Sequence, residues 1–204
     1  MTTKTVQIFV MRHGEKVDGG ALTEKGRDQV RASTQRHLTP VMPFDMVVRT
    51  HWDRARETAH IIVANLGSNF FDGFDGEIDD GFDFVDLDRW VRPPIDWDIQ
   101  KRQWSQRGRG APTVQQLFDE IPQSLAFAGQ VRYAIRRLAT RLVVQRAEFG
   151  KAIVVSHTPV AESAVPDPAS FRQLAEADIV VYTVEVTSGI ARIVNAGYLG
   201  CPIR

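Results

Sequence analysis

At 204 residues the chain is long enough for one globular domain, or for one domain that carries an insertion. Hydrophobic residues make up 43% and charged residues 25%, which supports a sizeable core and excludes global disorder. Lys+Arg and Asp+Glu stand at 25 each, and this zero net charge argues against the basic surface that generic nucleic-acid binding requires. Cys201 is the single cysteine, so no internal disulfide and no Cys-based zinc site is expected. No run approaches about 18 apolar residues, the length a membrane span needs. The N-terminal MTTKTVQIFV passes into a strand without a cleavable signal pattern, so a cytoplasmic protein with no membrane partner is expected.

Residues 5–11 predict the first strand. The apolar run Val6-Gln7-Ile8-Phe9-Val10 feeds into Met11-Arg12-His13-Gly14, the pattern of a buried strand that ends in a tight loop. Arg12 offers a permanent planar cation with five donors, suited to phosphate. His13 offers a nitrogen that can be neutral near pH 7 and attack an electrophile. Thr23 is placed as the N-cap of a helix that runs to about Leu38 and stops before Pro40. Met46-Val47-Val48 predicts a second short strand, and Asp53 to Leu66 a helix that ends at Gly67.

Residues 68–112 break this rhythm. From Asp72 to Asp98 there are ten acidic residues and two basic ones, interleaved with aromatics, after which Lys101 to Arg109 turns basic. Linkers lack such aromatic density, so the segment reads as an insertion or cap on a single domain over 1–204. Thr113 to Phe149 predicts helix, interrupted at Pro122, with an apolar stripe of Val131, Ile135, Leu138 and Leu142. Ala152 to Ser156 predicts a strand that meets His157, and Pro168 to Ala175 a short helix. Asp178–Val186 and Ile190–Val194 predict a β-hairpin around Ser188-Gly189. Strands that alternate with helices imply a three-layer α/β/α sandwich with a mostly parallel sheet, to which the hairpin adds an antiparallel edge.

Arg12 and His13 follow the first strand, Arg54 stands on the helix after the second, and His157 follows Ile153-Val154-Val155-Ser156. The carboxyl ends of parallel strands lie on one edge of a sheet, so these residues can converge although 144 positions separate His13 from His157. Two arginines and two histidines around one point would make a pocket for a dianion. A helix start near Arg54 would add backbone amides and a favourable dipole. Arg49 and Arg56 compete as the second arginine; Arg56 sits about 200° around the helix from Arg54.

Arg12-His13-Gly14, Leu22-Thr23-x-x-Gly26-x-x-Gln29, Arg54-Ala55-x-x-Thr58-Ala59 and Val154-Val155-Ser156-His157 resemble, in order, the motifs of the histidine phosphatase, or phosphoglycerate mutase-like, superfamily. The resemblance implies that His13 is a nucleophile that becomes a phosphohistidine. It also implies that Arg12, Arg54 and His157 bind the phosphoryl oxygens. Such transfer rests on positioning and electrostatics, so no metal and no cofactor is expected. Many members carry a Glu that protonates the leaving oxygen, and no clean Leu-x-Glu occurs in the corresponding region here. Asp83, set between Phe82 and Phe84, is the first choice for that general acid, and Glu77 and Asp86 are alternatives.

The segment from Glu15 to Leu22 is shorter than the substrate loop of phosphoglycerate mutases and resembles the short phosphatases, which points away from mutase activity. Lys16 could attract an anionic substrate, and Trp52 could line the pocket. His37, His51 and His60 do not fit metal spacing and read as surface or packing residues. The resemblance thus implies a phosphatase acting on phosphomonoesters or phosphohistidine, with a small phosphorylated molecule or a phosphoprotein as substrate. The alternatives are a non-catalytic phosphate-binding or phosphoprotein-binding module of the same fold and, with less support, a phosphomutase.

Overall fold

The computed structural model describes residues 2–17, 20–50, 52–67, 113–120, 123–145, 150–158 and 160–203. His51 and the whole segment 68–112, with Glu77, Asp83 and Asp86, lie outside the described residues.

Among the described residues five strands form one sheet: β1 (Thr3–Arg12), β2 (Met46–Arg49), β3 (Lys151–Ser156), β4 (Ile179–Thr187) and β5 (Ile190–Leu199). Their order is β2-β3-β1-β4-β5. The first three run parallel, and β4 and β5 are antiparallel additions. This is the expected α/β architecture with a mixed sheet.

Near-continuous apolar runs are what strands covered on both faces require. β1 sends Val6, Ile8 and Val10 into one core, and Phe9 and Met11 into the other. β3 divides Ala152 and Val154 from Ile153 and Val155 in the same way. Helices α1 (Glu24–Ser33) and α2 (Asp53–Leu66) close the Phe9 face through Val30, Ala55, Ala59 and Ile62. Helices α3 (Val114–Glu120) and α4 (Gln123–Val144) close the other. Val131, Ile135, Leu138 and Leu142 of α4, the predicted stripe, are all buried there.

The hairpin turns at Ser188 and Gly189, whose φ values of 51° and 80° suit the right-handed twist of the flanking strands. Its second strand runs to Leu199, five residues beyond the predicted Val194.

Two helix expectations need correction. The first helix does not stop before Pro40: α1 passes into a π turn over Thr34–Leu38 and a 3-10 turn over Thr39–Val41. Pro40 is the second residue of that last turn, among the first N–H positions that a helix leaves without a partner. Residues 168–175 do not form a helix: 168–170 are a turn, and Arg172 makes an isolated antiparallel bridge with Thr113. Their backbone groups are committed outward: Gln115 N–H donates to the Pro168 carbonyl at 2.9 Å and Val114 N–H to that of Phe171 at 2.8 Å. These carbonyls secure the first turn of α3 and are lost to any helix of their own.

Candidate active site

Register places the ends of the parallel strands side by side. Arg12 of β1 lies opposite Ser156 of β3, and Arg49 of β2 opposite Val155. The residues that follow continue the ladder, with His13 N–H donating to the Ser156 carbonyl and Thr50 N–H to that of Val155, both at 3.0 Å. Because β4 is antiparallel, its start reaches the same edge. Arg12 N–H donates to the Asp178 carbonyl at 3.0 Å, and Ala177 N–H donates to the carbonyl of His13 at 3.2 Å.

The loop after β1 is fixed by residues of the second motif. Thr23 caps α1 by accepting from Gly26 N–H at 2.9 Å, and its own N–H donates to the Glu15 carbonyl at 2.9 Å. Gln29 Oε1 accepts from Glu15 N–H at 3.0 Å. Gly14 and Gly26 meet backbone to backbone: a Cβ on Gly14 would lie 2.3 Å from the Gly26 carbonyl oxygen, and one on Gly26 would lie 2.1 Å from that of Glu15. From α2, Glu57 accepts from Leu22 N–H at 2.9 Å and from Arg27 Nε at 2.7 Å, which ties the helix that carries Arg54 to α1.

His13 is 5% exposed. Its Nδ1 lies 2.7 Å from the Gly14 carbonyl, which can only accept, so Nδ1 holds the proton and Nε2 keeps its lone pair. The His13 imidazole is held down at about 3, from an ordinary 6.5. Burial is the largest cause, and the charges of Arg54, Arg12 and His157 push the same way against the Gly14 hydrogen bond. All three expected partners therefore act on the ring of His13. Arg54 lies on the first turn of α2 with its Cζ 4.7 Å from the centroid of the Trp52 ring, a cation–π contact that orients the guanidinium. On the same helix Asp53 pairs with Arg56, and Glu57 pairs with Arg27 of α1.

The competing arginines stand differently. Arg49 is buried and donates from Nη1 to the Thr50 carbonyl at 3.1 Å, whereas Arg56 is half exposed beside Asp53. Lys16 is exposed. His37 donates from Nε2 to the Gly200 carbonyl at 2.9 Å, a packing role.

The side-chain contacts of three residues, Arg12, Thr158 and Tyr182, have no counterpart in the sequence expectations. Arg12 donates from Nη1 to the Leu174 carbonyl and from Nη2 to Glu176 Oε1, each at 2.5 Å. Thr158, next to His157, donates to the same Leu174 carbonyl and to the buried carboxylate of Glu162, both at 3.4 Å. Tyr182, wholly buried, donates to the Ala161 carbonyl at 2.7 Å and pins the loop after His157 to β4. Burial pushes its phenol well above the usual range. Buried side-chain atoms with no hydrogen-bond partner include Arg12 Nε, Thr50 Oγ1, Thr58 Oγ1 and Ser156 Oγ, on residues at strand ends or one helical turn from Arg54. Among the described residues no three His, Cys, Asp or Glu side chains are grouped to hold a metal ion, and no helix is long and apolar enough to cross a membrane.

Residues 8–167 match the model of the histidine phosphatase superfamily, branch 1. The chain belongs to this superfamily. Its fold is similar to that of phosphoglycerate mutase from Bacillus anthracis strain Sterne, at 14% identity and a TM-score of 0.57, over 95% of this chain and 93% of that one. It is similar also to a mycobacterial glucosyl-3-phosphoglycerate phosphatase, at 15% identity and a TM-score of 0.52, over 92% and 96%. A comparison with curated proteins finds no match. This histidine phosphatase fold thus occurs in a mutase and in a phosphatase alike.

Proposed function

We propose that the chain is a phosphatase that hydrolyses phosphomonoesters or phosphohistidine through a phosphohistidine on His13. The observation that carries this reading is the state of His13: buried, uncharged down to about pH 3, with its proton fixed on Nδ1 and three basic side chains acting on its ring. A cationic imidazole has no lone pair to offer, so a depressed basicity keeps the nucleophile available across the working pH range.

In the proposed reaction Nε2 attacks phosphorus and the bond to the leaving oxygen breaks. Arg12, Arg54 and His157 hold the three peripheral oxygens, whose charge they stabilise during transfer. The leaving oxygen takes a proton from a general acid, for which Asp83 in the 68–112 cap is the candidate and Glu77 and Asp86 are alternatives. Water then attacks the phosphohistidine. The P–N bond breaks, its electron pair returns to Nε2, and the proton of water passes to the carboxylate left by the first step. A phosphohistidine or aryl substrate has a leaving group good enough to depart without that acid. The short segment after His13 supports a phosphatase over a mutase. Small phosphorylated molecules and phosphoproteins are both candidate substrates, and the cap over 68–112 within one domain is the proposed source of the choice.

An ester panel at pH 5–8 tests this reading. His13→Ala should lower kcat on 4-nitrophenyl phosphate by at least roughly 10³-fold. Asp83→Asn should slow an alkyl phosphate by about 10²-fold or more while leaving the aryl ester nearly unchanged. Equal effects on both esters would remove Asp83 from the role. Absence of turnover across a broad panel, with phosphate still bound, would replace the enzyme by a binding module of the same fold.

A further inference from the structure

Glu176 places a carboxylate against Arg12, on the very side chain proposed to bind phosphate. The pair is close, Nη2 to Oε1 at 2.5 Å, and unequally buried, with the Arg12 side chain 16% and the Glu176 side chain 35% exposed. We propose that Glu176 is the internal counter-ion of the phosphate site: it competes with an incoming phosphoryl group for Arg12 and thereby sets the affinity of the pocket for small anions. This inference rests on the proposed phosphate-binding role of Arg12 and Arg54.

Three observations separate this role from that of a simple brace for Arg12. First, the guanidinium is already held by a neutral group, because Nη1 donates to the Leu174 carbonyl at 2.5 Å. What Glu176 adds is charge. Second, the Glu176 backbone is tied down. Ala177 N–H donates to His13, Asp178 N–H to the Ala175 carbonyl at 3.2 Å, and Ala175 N–H to Asp178 Oδ2 at 2.7 Å. The carboxylate therefore stays beside Arg12 unless its own side-chain torsions turn it outward, and a third of its surface already faces water. Third, Arg12 Nε, on the same edge of the guanidinium as the Nη2 that Glu176 holds, is buried without a hydrogen-bond partner, so Glu176 stands at the edge that a bidentate anion would take.

The charge balance gives the consequence. Among the charges that act on the His13 ring, that of Arg12 is opposed by Glu176 at contact distance. A phosphoryl dianion therefore meets a pocket that is less positive than its arginines suggest, and must share or displace a carboxylate. Free phosphate makes phosphoryl contacts alone and bears the whole of that cost. An ester that also touches the pocket through its alcohol portion offsets it. Glu176 thus lowers the affinity for ester and product alike and speeds the departure of inorganic phosphate.

Titration calorimetry of the full chain with inorganic phosphate, near pH 7 and at low salt, tests the idea with Glu176→Gln, Glu176→Ala and Arg54→Ala. Both Glu176 variants should bind phosphate about three- to tenfold more tightly than the unaltered protein, the scale of one partly screened charge. The gap should narrow as salt is added. Phosphate binding that is weakened by Arg54→Ala but unchanged or weakened in both Glu176 variants would overturn the counter-ion role and leave the phosphate site standing. Binding indifferent to Arg54 and Glu176 alike, or absent from every variant, would overturn both.

Discussion

His13 shows how one side chain is prepared by its neighbours. A surface histidine titrates near 6.5, whereas this one is held at about 3 because protonation would place a cation in a buried site beside Arg54, Arg12 and His157. The shift has a cost that can be measured. Between pH 6.5 and about 3 the unfolded chain binds a proton at His13 that the folded chain refuses, so this residue makes unfolding easier as pH falls through that window. Denaturant titrations near pH 7 and pH 4 should show the unaltered protein losing more stability than His13→Asn, by on the order of a few kcal/mol. Equal losses in the two proteins would mean that His13 is not held neutral by the fold. His13, Arg12, Arg54 and His157 stand out in the sequence because each follows a short apolar run or opens the helix after one. Glu176 and the Leu174 carbonyl do not. They reach Arg12 through an antiparallel strand whose start lies more than 160 positions downstream, and no local pattern marks the turn that carries them.

At the scale of elements, the motif around Thr23 is a support for the loop that bears His13. Its glycine, capping threonine and glutamine each contact Glu15 or Gly14, so the motif and the Arg-His-Gly tripeptide are two halves of one construction. Alanine is favoured over glycine inside a helix by about 1 kcal/mol. At Gly26 that gain is outweighed, because a Cβ 2.1 Å from the Glu15 carbonyl forces a backbone shift and overpacking costs about 1–3 kcal/mol or more. Gly26→Ala should therefore destabilise the protein by about 2 kcal/mol and depress turnover through displacement of the loop. Gly129→Ala in α4, where nothing lies within 4 Å, should be neutral or stabilising by up to about 1 kcal/mol. Thermal or denaturant unfolding of the two variants decides the point, and a harmless Gly26→Ala would contradict the packing argument. The Thr23 cap was legible in the sequence because capping is local. The contact between Gly14 and Gly26 was not, since a glycine announces permissiveness but not the neighbour that exploits it. Residues 168–175 depart from the expected helix for a related reason: the Pro168 and Phe171 carbonyls accept from α3, a tertiary commitment that outweighs local propensity.

For the whole molecule, the decisive fact is that β1, β2 and β3 are parallel neighbours in the order β2-β3-β1, so that their carboxyl ends share one edge. Apolar runs separated by helices made that arrangement readable, because parallel strands need long crossovers and bury both faces. Strand order itself left no trace in the periodicity, and it is strand order that brings His157 beside His13 and the start of β4 beside Arg12. The central claim is that phosphoryl groups pass through His13. Its most direct measurement is to mix the protein with a ³²P-labelled aryl phosphate, quench in alkali during turnover, and map the label by peptide. Transfer through His13 should leave an acid-labile, alkali-stable phosphate on the peptide that contains it, lost in His13→Asn together with turnover. Steady turnover with the label on another residue, or undiminished turnover in His13→Asn, would contradict it.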